Sequence, residues 1–176
     1  MSPTTEKFNA RRRWFDALAP RIAQDSALSA ALSWLQPVEL HSCPCCGYGT
    51  LPTRGDFVIC NLCDWEDDGQ DDADADQIRG GPNGGYSLTD ARVNFLRSLV
   101  MYAAPELARV LAAPLHADRV AVKRQLLALY DAMPLARDGD LAGLWRRVLE
   151  ANQVLRALNM NASQTNVAAA DDVSRE

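Results

Sequence analysis

Residues 43–94 read CPCCGYGTLPTRGDFVICNLCDWEDDGQDDADADQIRGGPNGGYSLTDARVN. All five cysteines of the chain fall in the first 21 of these residues: Cys43, Cys45, Cys46, Cys60 and Cys63. Two gaps are Cys-x-x-Cys, Cys43 to Cys46 and Cys60 to Cys63, with 13 residues between the pairs. Each pair can offer two thiolates from one tight turn, and two such turns can surround a single tetrahedral Zn²⁺. Pro44 fixes φ in the first turn, and Gly47 is free to take a positive φ. The spacing therefore predicts a structural zinc held by Cys43, Cys46, Cys60 and Cys63. Cys45 is the surplus thiol. It stands one residue too close to Cys43 for the usual knuckle, so its readings are an alternative ligand, a packed small side chain, or an oxidisable thiol beside a metal. Four thiolates close the coordination shell and leave no position for a reacting water, which favours a scaffold over a hydrolase.

Downstream of Cys63 the chain turns acidic. Asp64, Glu66, Asp67, Asp68, Asp71, Asp72, Asp74 and Asp76 occur in 13 residues that contain no Lys or Arg. Asp72, Asp74 and Asp76 imitate the start of an EF-hand loop, but Gln77 stands where that loop needs Gly and Asn83 where it needs Glu. A calcium site is not expected. Two readings remain: a solvated loop, and an anionic surface made of Glu66, Asp67, Asp68, Asp71, Asp72, Asp74 and Asp76 that faces a basic partner. Trp65 reads either as packing over the metal site or as an aromatic anchor inside that surface. Gly80, Gly81, Pro82, Asn83, Gly84 and Gly85 form a turn-rich connector with no Lys-Ser/Thr after it, so phosphate cradling is not expected. Ser87-x-x-Asp90 then resembles a capping box that starts a helix near Leu88.

Working outward, the rest of the chain is patterned as helix. Trp14, Phe15, Leu18 and Ile22 recur at helical spacing, with Pro20 marking a break. A short segment capped near Asp25 or Ser26 carries Leu28, Ala31, Leu32 and Leu35 on one face. After Leu88, the residues Phe95, Leu96, Leu99, Val100 and Ala103 continue one face, and Pro105 can open the next helix. Val122, Leu126, Leu129 and Met133 stripe one later segment. Leu141, Leu144, Trp145, Val148, Leu149, Leu155 and Leu158 stripe another, and both stripes read as core. Within the cysteine module, Leu51 and the run Phe57-Val58-Ile59 flank a turn-rich stretch, which predicts a short hairpin joining the two knuckles. The expected fold is mainly α with a small embedded β zinc ribbon, an α+β arrangement. Its parts are an N-terminal helical segment (1–40), the cysteine-rich module with its acidic loop (41–86), a C-terminal helical region (87–160) and a disordered tail (161–176).

The run CPCCGYGTL, then ICNLCDWEDD, then GGPNGGYSLTDARVNF resembles the bacterial cysteine-rich CPCC domain family over about residues 41 to 96. The resemblance implies a small zinc-ribbon-like domain and says little about function.

Composition narrows the remaining classes. Hydrophobic residues make up 48% of the 176, enough for a real core, so wholesale disorder is excluded. A net charge of −5 argues against non-specific binding to nucleic acid or to anionic lipid. The opening residues are polar throughout, and the longest apolar run is interrupted by Pro105, Glu106, Arg109 and Pro114, so neither a secretion signal nor a membrane span is expected. Clustered cysteines without such a signal fit a reducing cytoplasm. His41 and His116 are 75 positions apart, and no nucleophile elbow, H-E-x-x-H or Walker pattern occurs. The leading expectation is a non-enzymatic, zinc-stabilised protein-binding module. In its sharper form it is an immunity or antitoxin-type inhibitor whose acidic surface neutralises a basic toxin or nuclease. The alternatives are a zinc-ribbon nucleic-acid binder or transcriptional regulator using Arg11 to Arg13 and the Arg119 to Arg124 face, and a thiol redox protein centred on Cys45.

Overall fold

Apolar residues three and four apart draw the long helices onto a shared core, and the computed structural model describes this over residues 3–33, 41–113 and 115–173, with side chains described between 5 and 161. In chain order the elements are α1 (Pro3–Gln24), α2 (Ser26–Ala31), strands β1 (His41–Ser42) and β2 (Gly49–Leu51), then α3 (Leu88–Ser98), α4 (Glu106–Ala112), α5 (His116–Ala132) and α6 (Asp138–Val173). The described residues are thus mainly helical with a small two-stranded sheet beside the cysteine cluster, as the sequence predicts.

Pro20 lies inside α1 and does not end it. A proline in a helix removes one amide donor and crowds the preceding turn, at about 3 kcal/mol. Here Phe15 and Leu18, both essentially unexposed, fix the helix before it, and Ile22 packs against the core after it. The chain then turns at Asp25, whose carboxylate accepts from the amides of Ala27 (2.9 Å) and Leu28 (3.0 Å) and starts α2. Leu28 and Leu32 are buried and Ala31 is exposed, while Leu35 lies outside the described residues.

Ser87 caps α3 as the sequence suggests: its Oγ accepts from the Asp90 amide at 3.1 Å and donates to the Asp90 carboxylate at 2.6 Å. The helix is shorter than its apolar pattern. Leu99 takes a left-handed conformation (φ 60°) and closes α3, so Leu99, Val100 and Ala103 follow the helix and do not extend it. Two bonds hold the chain in this turn: Asn94 Nδ2 donates to Met101 O at 2.9 Å, and the Met101 amide donates to Cys63 O at 2.7 Å.

At the centre of the core is an aromatic chain that joins the cysteine module to the helices. The Tyr130 ring on α5 stands 5.5 Å from Phe15 on α1, 5.4 Å from Tyr48 in the module and 6.1 Å from Trp145 on α6. Each buried side chain of this size contributes about 1.5–3 kcal/mol by leaving water. Leu126, Leu129 and Met133 of the α5 stripe and Leu141, Val148, Ala151 and Leu155 of α6 close the same core. The α6 backbone continues to Val173, whereas the sequence reading placed a disordered tail from 161. Extending an existing helix needs no new nucleus, and the alanine-rich stretch has high helix propensity.

The hairpin differs from its prediction. β1 and β2 pair antiparallel, with His41 opposite Leu51 and Ser42 opposite Gly49, so the sheet brackets the first knuckle and does not join the two. The second knuckle is closed by its own isolated bridge, Ile59 with Glu66. Residues 52–56 form bends, Phe57 takes φ 58°, and Phe57 and Ile59 are exposed.

Candidate metal centre

Two knuckles built on one plan present the thiols. In the first, the Cys43 amide donates to Tyr48 O and the Gly47 amide donates to Cys43 O, both at 2.8 Å. In the second, the Cys60 amide donates to Trp65 O and the Asp64 amide donates to Cys60 O, again both at 2.8 Å. This register requires a left-handed residue after the second cysteine, supplied by Gly47 (φ 78°) and by Asp64 (φ 66°).

The result brings Cys43, Cys46, Cys60 and Cys63 together, their Sγ atoms all within 4.8 Å of one another and all four side chains unexposed. Cys43 Sγ lies 3.6 Å from Cys63 Sγ, and Cys46 Sγ 3.8 Å from Cys60 Sγ. These separations are far beyond a disulfide bond, and the cysteines are free. They fit a metal: a tetrahedral ion with metal–sulfur bonds of about 2.3 Å has sulfur–sulfur edges of about 3.8 Å. Burial pushes the Cys43, Cys46 and Cys63 thiols well up. It acts on Cys60 in the same direction, but hydrogen bonds from the other three thiols and from Thr50 outweigh it and hold Cys60 well down. Thr50 Oγ1 is 3.0 Å from Cys60 Sγ. Four buried sulfurs at these separations are positioned to hold a metal ion.

Cys45 is not one of the four clustered thiols, although its side chain lies beside Cys63; it is 1% exposed and lines a groove between α1 and α3. His41 is exposed at the start of β1 and is not among the clustered ligands. His116 is the first residue of α5.

The acidic segment is where tertiary structure changes the reading most. Trp65 and Asp67 belong to no partner-facing surface, because both are completely buried. Trp65 closes the second knuckle, and Asp67 accepts from Arg54 Nε and from the Gly55 amide, each at 2.8 Å. Asp71 is bridged by Arg12 (2.8 Å) and Arg54 (3.0 Å), and Asp72 by Arg92 (2.6 Å) and Arg12 (3.1 Å). Arg79 pairs with Asp74 and lies 4.0 Å from Asp68. Asp76 accepts from Thr89 Oγ1 at 2.6 Å, and the side chain of Glu66 is half-buried. Four arginines from outside the run thus meet five of its aspartates. Arg11 stacks its guanidinium 3.8 Å from the Tyr48 ring centroid, so two of the three N-terminal arginines face the module and only Arg13 is exposed to water. Successive helical residues point about 100° apart, which is why one triplet divides in this way.

The basic α5 face also divides. Lys123 is 5% exposed, with its Nζ 3.4 Å from both Asp64 carboxylate oxygens and 3.1 Å from Leu99 O. Burial pushes the Asp64 carboxyl up, against the pull of the Lys123 ammonium. No sequence signal marks Lys123, since it reads as one more polar residue of an amphipathic helix.

The arrangement defines a helical protein with a buried four-thiol module positioned to hold a metal ion. Residues 41–104 match the family model described as Cysteine-rich CPCC, so the module is a cysteine-rich CPCC domain. Comparison with curated proteins and with solved structures found no match. No helix among the described residues is long and apolar enough to cross a membrane.

Proposed function

We propose that the protein is a non-enzymatic, zinc-stabilised protein-binding module whose partner is basic, of the immunity or antitoxin kind. Zinc is the ion that four buried thiolates in a closed tetrahedron suit best, and such a shell leaves no coordination position for a substrate or water. The observation that carries the partner reading is a groove of about 610 Å³ between α1 and α3. Phe8, Val93, Phe95 and Leu96 give it an apolar lining, and Leu96 is 56% exposed. Its cations are largely withdrawn, since Arg11 stacks on Tyr48 and Arg92 stacks on Phe8 and pairs with Asp72. Its outward charges are acidic: Asp76 is exposed, and Asp72 stays 63% exposed despite its two arginines. An apolar floor with an anionic rim suits an apolar anchor flanked by Lys or Arg.

Nucleic-acid binding is the poorer reading, because Arg12 and Lys123 are committed to internal carboxylates. A redox role for Cys45 is poorer too, since attack on a disulfide needs access and this thiol is buried.

The test is affinity capture with the full chain and with Asp72→Lys/Asp76→Lys/Leu96→Glu, zinc content being measured on both. The reading expects a basic protein retained by the native chain and lost by the variant, with about one zinc ion per chain in each. Recovery of nucleic acid alone, or equal retention by both chains, overturns it.

A further inference from the structure

The two knuckles share the two backbone bonds that close each turn, and their left-handed positions carry different residues. Where the first has Gly47, the residue that takes a left-handed φ without penalty, the second has Asp64, whose Cβ makes that conformation unfavourable. The retained side chain has a specific use. Asp64 lies against Lys123, a buried lysine on α5, and the same Nζ donates to Leu99 O, the left-handed residue that closes α3. One turn further on, the Met101 amide donates to Cys63 O, a carbonyl of the second knuckle. A single ammonium therefore joins the metal-bearing turn, the end of α3 and the helical body. Beside it, Arg119 and His116 of α5 line a cavity of about 20 Å³ together with Asp64, and Arg119 Nη2 is buried there with no hydrogen-bond partner.

The charge balance explains why cations gather at this place. Four thiolates around one divalent ion leave a net charge of −2 in a site without solvent exposure, and Asp64 adds another negative charge directly after Cys63. Buried charge of that size is tolerated only when opposite charge is held close. On the side of the second knuckle, Lys123 and Arg119 are the cations of the cavity that is walled by Asp64.

We propose that Asp64 and Lys123 are a positioning pair of the metal centre: Lys123, from a helix outside the CPCC domain, sets a buried positive charge against the second knuckle through Asp64, and so couples metal binding to the seating of α5. The proposal rests on the four-thiolate metal reading. It goes beyond that reading by placing part of the centre's support outside residues 41–104, in the helical body.

The experiment loads the full chain with cobalt(II), whose thiolate charge-transfer band reports the ligand set, and measures affinity by chelator competition. Lys123→Met is expected to weaken cobalt binding by about 10–100-fold, the range that loss of an outer-shell partner gives, while the charge-transfer band persists. Lys123→Arg keeps the charge and should recover most of the affinity. Asp64→Asn keeps a residue tolerant of the left-handed conformation and stays folded, and in its background Lys123→Met should have at most a few-fold effect. Native affinity in Lys123→Met, or an Arg variant as weak as the Met variant, overturns the pair. An undiminished Lys123→Met effect in the Asp64→Asn background overturns the route through Asp64. A native chain that develops no thiolate band removes the metal centre itself, a failure distinct from either of these.

Discussion

Arg54 donates through Nε to Asp67 Oδ2 at 2.8 Å, and the carboxylate it meets has no solvent exposure at all. The Gly55 amide reaches the same oxygen, also at 2.8 Å. The acidic segment is thus anchored from beneath by a buried ion pair before its outer carboxylates meet any other cation. Arg54→Met strands a buried charge, which destabilises by about 3–5 kcal/mol. Urea unfolding should show that loss, and adding Asp67→Asn should return most of it. A loss no larger than that of a surface pair, under about 1 kcal/mol, would contradict the anchoring role.

Asp71 links stability to acid. Burial acts to raise its carboxyl, but Arg12, the Asp72 amide and Arg54 outweigh that and hold it down at about 2, against an ordinary 3.8. Because the folded value lies below the unfolded one, the stabilisation is present above about pH 4 and is lost as pH falls towards about 2. Its side chain is 39% exposed, so solvent screening reduces the contribution to about 1 kcal/mol. Melting temperatures of the native chain and Asp71→Asn should differ at pH 7, draw together below about pH 4 and converge only at about pH 2 and below. A gap independent of pH would show that the arginines do not act on this carboxylate.

Removing one sulfur separates ligand from bystander. Cys60→Ser should release the metal and unfold the module, since a structural zinc supplies on the order of 10 kcal/mol of folding free energy. Cys45→Ser should keep the metal and lower stability by no more than about 1–2 kcal/mol. Metal analysis and thermal melts on both variants decide the ligand set, and retention of metal by Cys60→Ser would refute it.

The contact between α1 and the module leaves no room at Gly49. A Cβ there would sit 2.5 Å from Phe15 Cδ1, inside the core, so Gly49→Ala must displace that ring. Overpacking of this kind destabilises by about 1–3 kcal/mol. Gly85→Ala, where an added Cβ meets nothing within 4 Å, is the control and should melt like the native chain. Equal melting of the two variants would mean that α1 does not press on β2.

Local patterns of residues carried much of this protein in plain view. Cys43, Cys46, Cys60 and Cys63 were legible as a set because each pair sits within one turn, where spacing along the chain is spacing in space. Ser87 with Asp90 was legible for the same reason, as were the apolar stripes that build α5 and α6, whose periodicity is intrinsic to the helix. Partnership across the fold was not legible. Residues 64–76 contain no Lys or Arg and so read as a free anionic surface, yet Arg12, Arg54, Arg79 and Arg92 reach them from elsewhere in the chain. Trp65 reads from the sequence as packing over the metal site or as an aromatic anchor, and its complete burial in the second knuckle agrees with the first.

What the sequence determined by itself is the four-thiol module and the helical character of the chain around it, because thiolate spacing and apolar period act over a few residues. Only the tertiary structure decided which carboxylates are neutralised, that the sheet brackets the first knuckle, and that Lys123 stands against Asp64. Those outcomes depend on side chains brought together from 59 positions apart and more, and electrostatic energy follows distance in space and is indifferent to distance along the chain.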